Sequence, residues 1–291
     1  MLAAAHADGH RLRIGEGLTT EALNRILEHE AGDLTCTVEA GVRLSSLQRA
    51  LAPYGQRLSL DPPGDPTIGA LLAENVSGPL RHRFGAPRDL VLGVTLVLPD
   101  GTIASSGGKV VKNVAGYDLA RLVCGSRGRL ALIARASFRL HPIPKAARTV
   151  AIETDDAAAV VAALLASQLQ PSALDVLHPG SVLVLFEGSP EAVEAQLAAA
   201  QRLVGGRGVP DTAWDVSRGR QADAGGRIRF VPGHLAKLLP ELEEGALVRP
   251  SAGVAYTPSG SEPQGAQTPD GVAILVERIR RQFDPNGVLA A

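Results

Sequence analysis

The stretch from residue 64 to residue 144 constrains this 291-residue chain more than any other. Gly, Ser, Thr and Asn cluster there at three separate places: TIGALLAENVSGP (67–79), RFGAPRDLVLGVTLVLPDG (83–101) and GGKVVKNVAGYDLARLVCGSRGRLALI (107–133). Each cluster lies beside an apolar segment. Residues of this kind let backbone amides, in place of charged side chains, approach a large ligand closely.

The totals exclude several classes. A net charge of −1 without a basic block argues against nucleic acid or an anionic membrane surface as the main partner. Aromatic residues make up only 3%, which leaves few platforms for stacked bases. Cys36 and Cys124 are the two cysteines, each in an apolar setting, and read as free buried thiols. No cysteine spacing suits an iron–sulfur cluster. No apolar run reaches the ~18–20 residues of a membrane span, and residues 1–17 do not read as a signal peptide. The expected compartment is the cytoplasm.

Periodicity predicts a mixed α+β chain with helices over 20–30, 44–51, 67–74 and 117–123, and strands over 10–14, 35–38, 90–98, 102–105 and 130–140. The Pro99-Asp100-Gly101 turn joins two of those strands as a hairpin. His141-Pro142-Ile143-Pro144 is a stiff break and an expected domain edge. Beyond it the pattern gives strands at 149–153, 174–177, 181–187, 228–231 and 253–257, and helices at 155–168, 190–204, 232–242 and 272–283. Residues 260–271 read as a loop. The strand–helix–strand–strand–helix order predicts a ferredoxin-like or related two-layer unit. The expected division is 1–144, 145–270 and 271–291, the last a helix and tail returning to the first domain.

The wording and order of the three glycine blocks resemble the PCMH-type (vanillyl-alcohol oxidase type) FAD-binding family, and within it the FAD-binding E subunits of bacterial glycolate oxidases. The resemblance implies a PCMH-type domain of two α+β subdomains, the first shortened, followed by a smaller cap domain. Thr67, Ile68, Gly69, Asn75, Ser77 and Gly78 match a family run that wraps the flavin pyrophosphate and the edge of the isoalloxazine. Ala70 stands for its second glycine and Glu74 for a small residue. Pro63 and Gly64, in the turn before this run, are placed with it. Gly85 matches the next block, beside Arg88 and Asp89, which read as a local ion pair. Lys112, Asn113, Gly116, Tyr117 and Asp118 reproduce the KN-x-x-GYDL element. Gly125, Ser126, Gly128 and Ile133 follow the GS-x-G-x-L-x-x-I pattern, which in the family contacts ribose, pyrophosphate and adenine. Gly15 and Gly17 stand at the family's N-terminal phosphate loop, with Glu16 between them, a charge that repels phosphate unless it points away. That loop holds neither His nor Cys, so the FAD is expected to be non-covalent.

The family's 2-hydroxy acid oxidases carry a His-x-x-x-Gly-Asp-Gly-Asn metal motif, which this sequence lacks, and its seven histidines form no metal-ligating pair. No catalytic residue is assigned and no metal is expected. Arg227, Arg229 and His234 are weak candidates for a carboxylate clamp; a solvent-facing strand is the favoured reading. Trp214 is expected to pack at the domain junction and the FDPNGVL tail to serve packing. The resemblance implies an FAD-binding subunit that passes electrons between a catalytic flavoprotein subunit and an iron–sulfur subunit, either cytoplasmic or held at the inner membrane face by its partners. A free-standing flavin oxidoreductase of a small 2-hydroxy acid and a flavin-free structural subunit are the alternatives.

Overall fold

The computed structural model describes residues 2–8, 10–108, 118–260 and 270–289. Two antiparallel sheets organise it. The first contains β1 (Ile26–Glu30), β2 (Thr35–Glu39), β3 (Val91–Val97), β4 (Ile103–Gly107) and β5 (Leu132–Arg139) in the order β1-β2-β5-β3-β4. Cys36, Val38, Val94, Leu96, Ala136 and Phe138 are its inward side chains. They pack on the helices Leu44–Leu51 and Ile68–Glu74. Leu44, Leu47 and Leu51 recur at helical spacing and are all buried, so the Leu44–Leu51 helix presents a single apolar stripe to the sheet. The β3–β4 hairpin turns at Asp100, whose carboxylate accepts from Thr102 N, and at Gly101, whose φ of 89° suits glycine.

The second sheet holds β6 (Ala146–Glu153), β7 (Ala173–Leu177), β8 (Ser181–Gly188), β9 (Arg207–Val209), β10 (Gly226–Arg229), β11 (Leu247–Arg249) and β12 (Val254–Thr257). Their order is β9-β6-β8-β7-β11-β12-β10. The first four strands, with the helices Ala157–Ala166 and Pro190–Val204, make the expected ferredoxin-like arrangement, and β11, β12 and β10 extend it at the β7 edge. Both faces are covered. Val150, Val176, Val184 and Phe186 face the two long helices, whereas Leu183, Leu247, Val254 and Tyr256 face Trp214 on the helix Ala213–Ala222. Trp214 donates its indole N–H to Thr149 Oγ1 at 2.9 Å within this second core.

Several sequence expectations fail for identifiable reasons. Residues 20–30 were expected to be helical, but a turn at residues 21 and 22 leads into β1. The turn at residues 31–34 folds β1 back onto β2, and ladder pairing overrides the helical stripe of Ile26 and Leu27, each of which stays 38% exposed. Residues 10–14 make only single bridges, Leu12 to Leu289 and Ile14 to Leu18. The helix expected over 232–242 breaks into short turns around Pro240. The helices Leu2–Asp8 and Ala213–Ala222 and the short strands β9 and β11 had no strong periodic signal. After the helix Asp270–Phe283, Val288 and Leu289 bury themselves against Leu2, Ala5 and Leu132 of the first lobe.

Among the described residues no helix is long and apolar enough to cross a membrane. Cys36 and Cys124 are free, and burial pushes both thiols up to about 12.

Candidate functional site

Three glycine-bearing segments converge on one side of the first lobe. The loop at residues 13–18 is self-contained: the amides of Glu16, Gly17 and Leu18 all donate to the Arg13 carbonyl, and Gly15 N donates to Leu18 O. Glu16 turns outward to Arg13 at 2.8 Å with 68% of its side chain in water, so it does not point into the loop. The turn at residues 125–128 lies between this loop and the end of the Ile68–Glu74 helix. Gly125 N and Arg127 N donate to Leu72 O and Ala73 O, and a Cβ on Gly128 would lie 3.2 Å from Ile14. Gly125, Arg127 and Gly128 all have positive φ, and this sharp reversal brings the turn against Asn75.

The start of the Ile68–Glu74 helix is internally satisfied. Ile68 N donates to Val42 O, Gly69 N to Ala40 O and Ala70 N to the Thr67 hydroxyl. Gly69 permits close approach to β2, since its Cβ would lie 3.1 Å from that of Ala40. Asn75 closes the helix in the left-handed region at φ 49°, and its side-chain oxygen accepts from Arg88 N.

The next two residues differ. Ser77 is 1% exposed and Gly78 is also buried, yet neither N–H has a partner among the described residues. Buried amide donors are seldom left unpaired. The Ser126 hydroxyl is likewise buried without a partner among the described residues. Gly78 presses on Asp61, whose carbonyl would lie 1.8 Å from an added Cβ, and Asp61 Oδ1 accepts from Leu80 N at 3.0 Å. Pro63 and Gly64 line an open groove of about 480 Å³ with Ser45, Asp61, Asp215 and Arg218.

The other sequence candidates have local roles. Gly85 makes room for the Asp89 carboxylate, which accepts from Ala86 N, so Asp89 caps a turn and the expected Arg88–Asp89 ion pair does not form. Asp118 caps the Leu119–Val123 helix by accepting from Arg121 N. Ile133 faces the first core. Lys112, Asn113, Gly116 and Tyr117 lie outside the described residues. Arg227 and Arg229 are exposed on edge strand β10; they and, above all, burial lower the pKa of Arg81, whose Nη1 reaches Ser77 Oγ. His234 is exposed. Among the described residues no three His, Cys, Asp or Glu side chains come together as metal ligands.

Known proteins share parts of this sequence and its fold. A model of an FAD-binding domain matches residues 7–107. The fold is of the PCMH type, found in FAD-binding proteins. The solved alkyldihydroxyacetonephosphate synthase shares the fold: it superposes with a TM-score of 0.71 at 16% identity over 99% of this chain and 74% of that one. Curated relatives include glycolate oxidase subunit GlcD of Bacillus subtilis (strain 168), 35% identical over 62% of this chain and 40% of its own length. Glycolate oxidase subunit GlcE of Escherichia coli (strain K12) is 32% identical over 71% of this chain and 59% of its own length. The mitochondrial D-lactate dehydrogenase [cytochrome] 1 of Saccharomyces cerevisiae (strain ATCC 204508 / S288c) is 33% identical over 58% of this chain and 30% of its own length. The chain thus spans between 30% and 59% of these three relatives.

The fold fits a flavin in one testable respect. The buried amides of Ser77 and Gly78 and the Ser126 hydroxyl, without acceptors among the described residues, are donors of the kind that pyrophosphate and carbonyl oxygens accept from. Three residues around them were not singled out from sequence. Asp61, Gln221 and Arg249 surround the Ser77–Gly78 segment, and no local pattern links residues so far apart in the chain.

Proposed function

We propose that this chain is the FAD-binding subunit of a glycolate-oxidase-type 2-hydroxy acid dehydrogenase complex. The observation that carries the reading is the convergence of residues 13–18, 75–78 and 125–128 around buried donors that have no acceptor among the described residues. In this reading Ser77, Gly78, Gly125, Ser126 and Gly128 hold FAD non-covalently. Gly15 and Gly17 let the loop at residues 13–18 close on the turn at 125–128. Bound FAD supplies the redox chemistry, while the protein supplies binding, orientation and electrostatics. The similarity to GlcE, which extends over 71% of the chain, supports the subunit role. The partners are then a catalytic flavoprotein subunit and an iron–sulfur subunit, and any membrane association is peripheral and passes through them. The same reading takes residues 1–144 as the flavin domain, 145–270 as the cap, and 271–291 as a return to the first domain.

A second reading, a free-standing oxidoreductase of a small 2-hydroxy acid, is favoured by one feature. Arg81, Arg227 and Arg229 are near one another, and none has a carboxylate in ion-pair distance among the described residues. Such a cationic edge would attract a carboxylate.

The test is the visible absorption spectrum of the purified chain before and after acid precipitation, followed by FAD titration of the apoprotein. A flavin spectrum that moves into the supernatant is expected. A colourless chain that takes up no FAD would sink the flavin reading. Turnover of glycolate or lactate by the isolated chain with an artificial acceptor would favour the second reading over the first.

A further inference from the structure

The Ser77 carbonyl is held by the opposite lobe. Gln221 Nε2 donates to it at 2.9 Å and Arg249 Nη1 at 3.1 Å. Gln221 comes from the Ala213–Ala222 helix and Arg249 from β11, both belonging to the second sheet and its coverings. All three residues are nearly dry, with exposures of 8% for Gln221, 2% for Arg249 and 1% for Ser77. A carbonyl oxygen has two lone pairs, and both are therefore taken.

The clamp is itself braced. The Tyr256 hydroxyl accepts from the same two nitrogens, at 3.3 Å from Gln221 and 3.4 Å from Arg249. The Arg249 guanidinium lies 5.3 Å from the Tyr256 ring centroid. Its Nε faces Asp175 Oδ1 at 3.4 Å, and Asp175 in turn accepts from the Ser217 hydroxyl. Sequence distance gives no hint of this: the two bonds to Ser77 span 144 and 172 residues.

The Ser77–Gly78 bond is trans, so its carbonyl and its N–H lie in one plane and point in opposite directions. Drawing the carbonyl toward the second lobe aims the Gly78 N–H away from it. That N–H is the buried donor with no partner among the described residues. Orienting it is done when the two lobes fold together, and a ligand that accepts from it is spared that ordering cost.

We propose that Gln221 and Arg249 are positioning residues for the flavin: by gripping the Ser77 carbonyl they fix the Ser77–Gly78 peptide and make FAD affinity depend on the docked second lobe. This rests on the flavin reading above. The two residues act through the peptide and are not catalytic.

Three variants test it: Gln221→Met and Arg249→Lys, which each remove a grip on the carbonyl, and Glu187→Gln, which weakens a different contact between the lobes. FAD affinity by fluorescence titration, the visible circular dichroism of the bound flavin, and thermal midpoint are read for each. Loss of one hydrogen bond to a buried carbonyl should weaken FAD by roughly five- to tenfold in Gln221→Met and Arg249→Lys, with an altered flavin dichroism. Glu187→Gln should lower the thermal midpoint and leave both flavin readouts unchanged. Wild-type affinity in Gln221→Met, or an equal loss in Glu187→Gln, would overturn the clamp while leaving FAD binding intact. Should Arg249→Lys fail to fold, Gln221→Met decides alone. A wild-type chain that takes up no FAD overturns the flavin reading and the clamp together.

Discussion

Arg57 and Glu187 join the two lobes through a two-pronged ion pair with N···O distances of 2.8 and 2.7 Å. The Arg57 guanidinium also lies over the Phe84 ring, 5.4 Å from its centroid. The two side chains keep only 18% and 8% of their surface in water, so this is a shielded pair in planar, two-bond geometry.

Removing one partner should therefore hurt more than it would at a surface. Glu187→Ala leaves a half-buried guanidinium unpaired at the junction. The expected loss is about 2 kcal/mol, below the full cost of breaking a buried pair because Arg57 still reaches some water. Urea unfolding followed by tryptophan fluorescence measures it, since Trp214 is the chain's only indole. A change within 0.5 kcal/mol, the usual size for exposed pairs, would show that the lobes do not lean on this contact.

Local signals were legible in the sequence and long-range ones were not. The helices Leu44–Leu51 and Pro190–Val204 fall where periodicity and caps place them, because Leu44, Leu47 and Leu51 share a face and Ser189 caps Pro190 at the first turn. The hairpin at Asp100-Gly101 follows from its turn residues. The β1 segment failed because Ile26 and Leu27 suit a helix until the turn at residues 31–34 offers a ladder to β2. At the candidate site, the glycines were visible as glycines. Which amides are spoken for was not visible: Gly69 N–H goes to Ala40 while that of Gly78 stays free among the described residues, and only the packing of the helix on β2 decides between them.

The pH dependence of stability should carry a signature of Asp61. Burial pushes its carboxyl up to about 7, against the pull of the Leu80 N–H, Arg249 and Arg218, although 22% of the side chain touches solvent. An unfolded Asp titrates near 4. The folded state thus holds the proton more tightly, so the stability this group contributes is complete below about pH 4 and is lost as pH rises through about 7. Asp61→Asn keeps an acceptor for Leu80 N and abolishes the titration. The variant should gain on the order of 2 kcal/mol over wild type between pH 4 and pH 8, a figure discounted for the water at the side chain. Urea melts of both proteins at pH 5 and pH 8 measure the difference, and an identical offset at the two values would refute the assignment.

Two glycines near the groove should respond differently to a methyl group. Gly64 has φ 70° with nothing within 4 Å of an added Cβ, whereas on Gly78 the Cβ would fall 1.8 Å from the Asp61 carbonyl. Gly64→Ala should cost about 1 kcal/mol, the backbone term alone. Gly78→Ala must push the segment at residues 77–80 off Asp61, an overpacking cost of about 3 kcal/mol, and it should weaken FAD binding. Thermal melts with parallel FAD titrations separate the two, and equal behaviour would mean that the loop adapts.

Asp284 should decide whether the C-terminal tail stays docked. It is 3% exposed, and its two carboxylate oxygens accept from Val288 N at 2.8 Å and Leu289 N at 2.7 Å. Leu289 bridges Leu12, the segment that leads into the loop at residues 13–18. Asp284→Ala strands two buried N–H groups, each costing about 1–3 kcal/mol when unpaired. Asp284→Asn keeps one good acceptor and should lie between alanine and wild type. Because the tail holds Leu12, the alanine variant should also speed amide exchange at Leu12 and Ile14, well away from the substitution in sequence. Hydrogen exchange read by mass spectrometry reports both segments. Exchange that quickens at Val288 and Leu289 but not at Leu12 would show that the tail and the N-terminal loop are held independently.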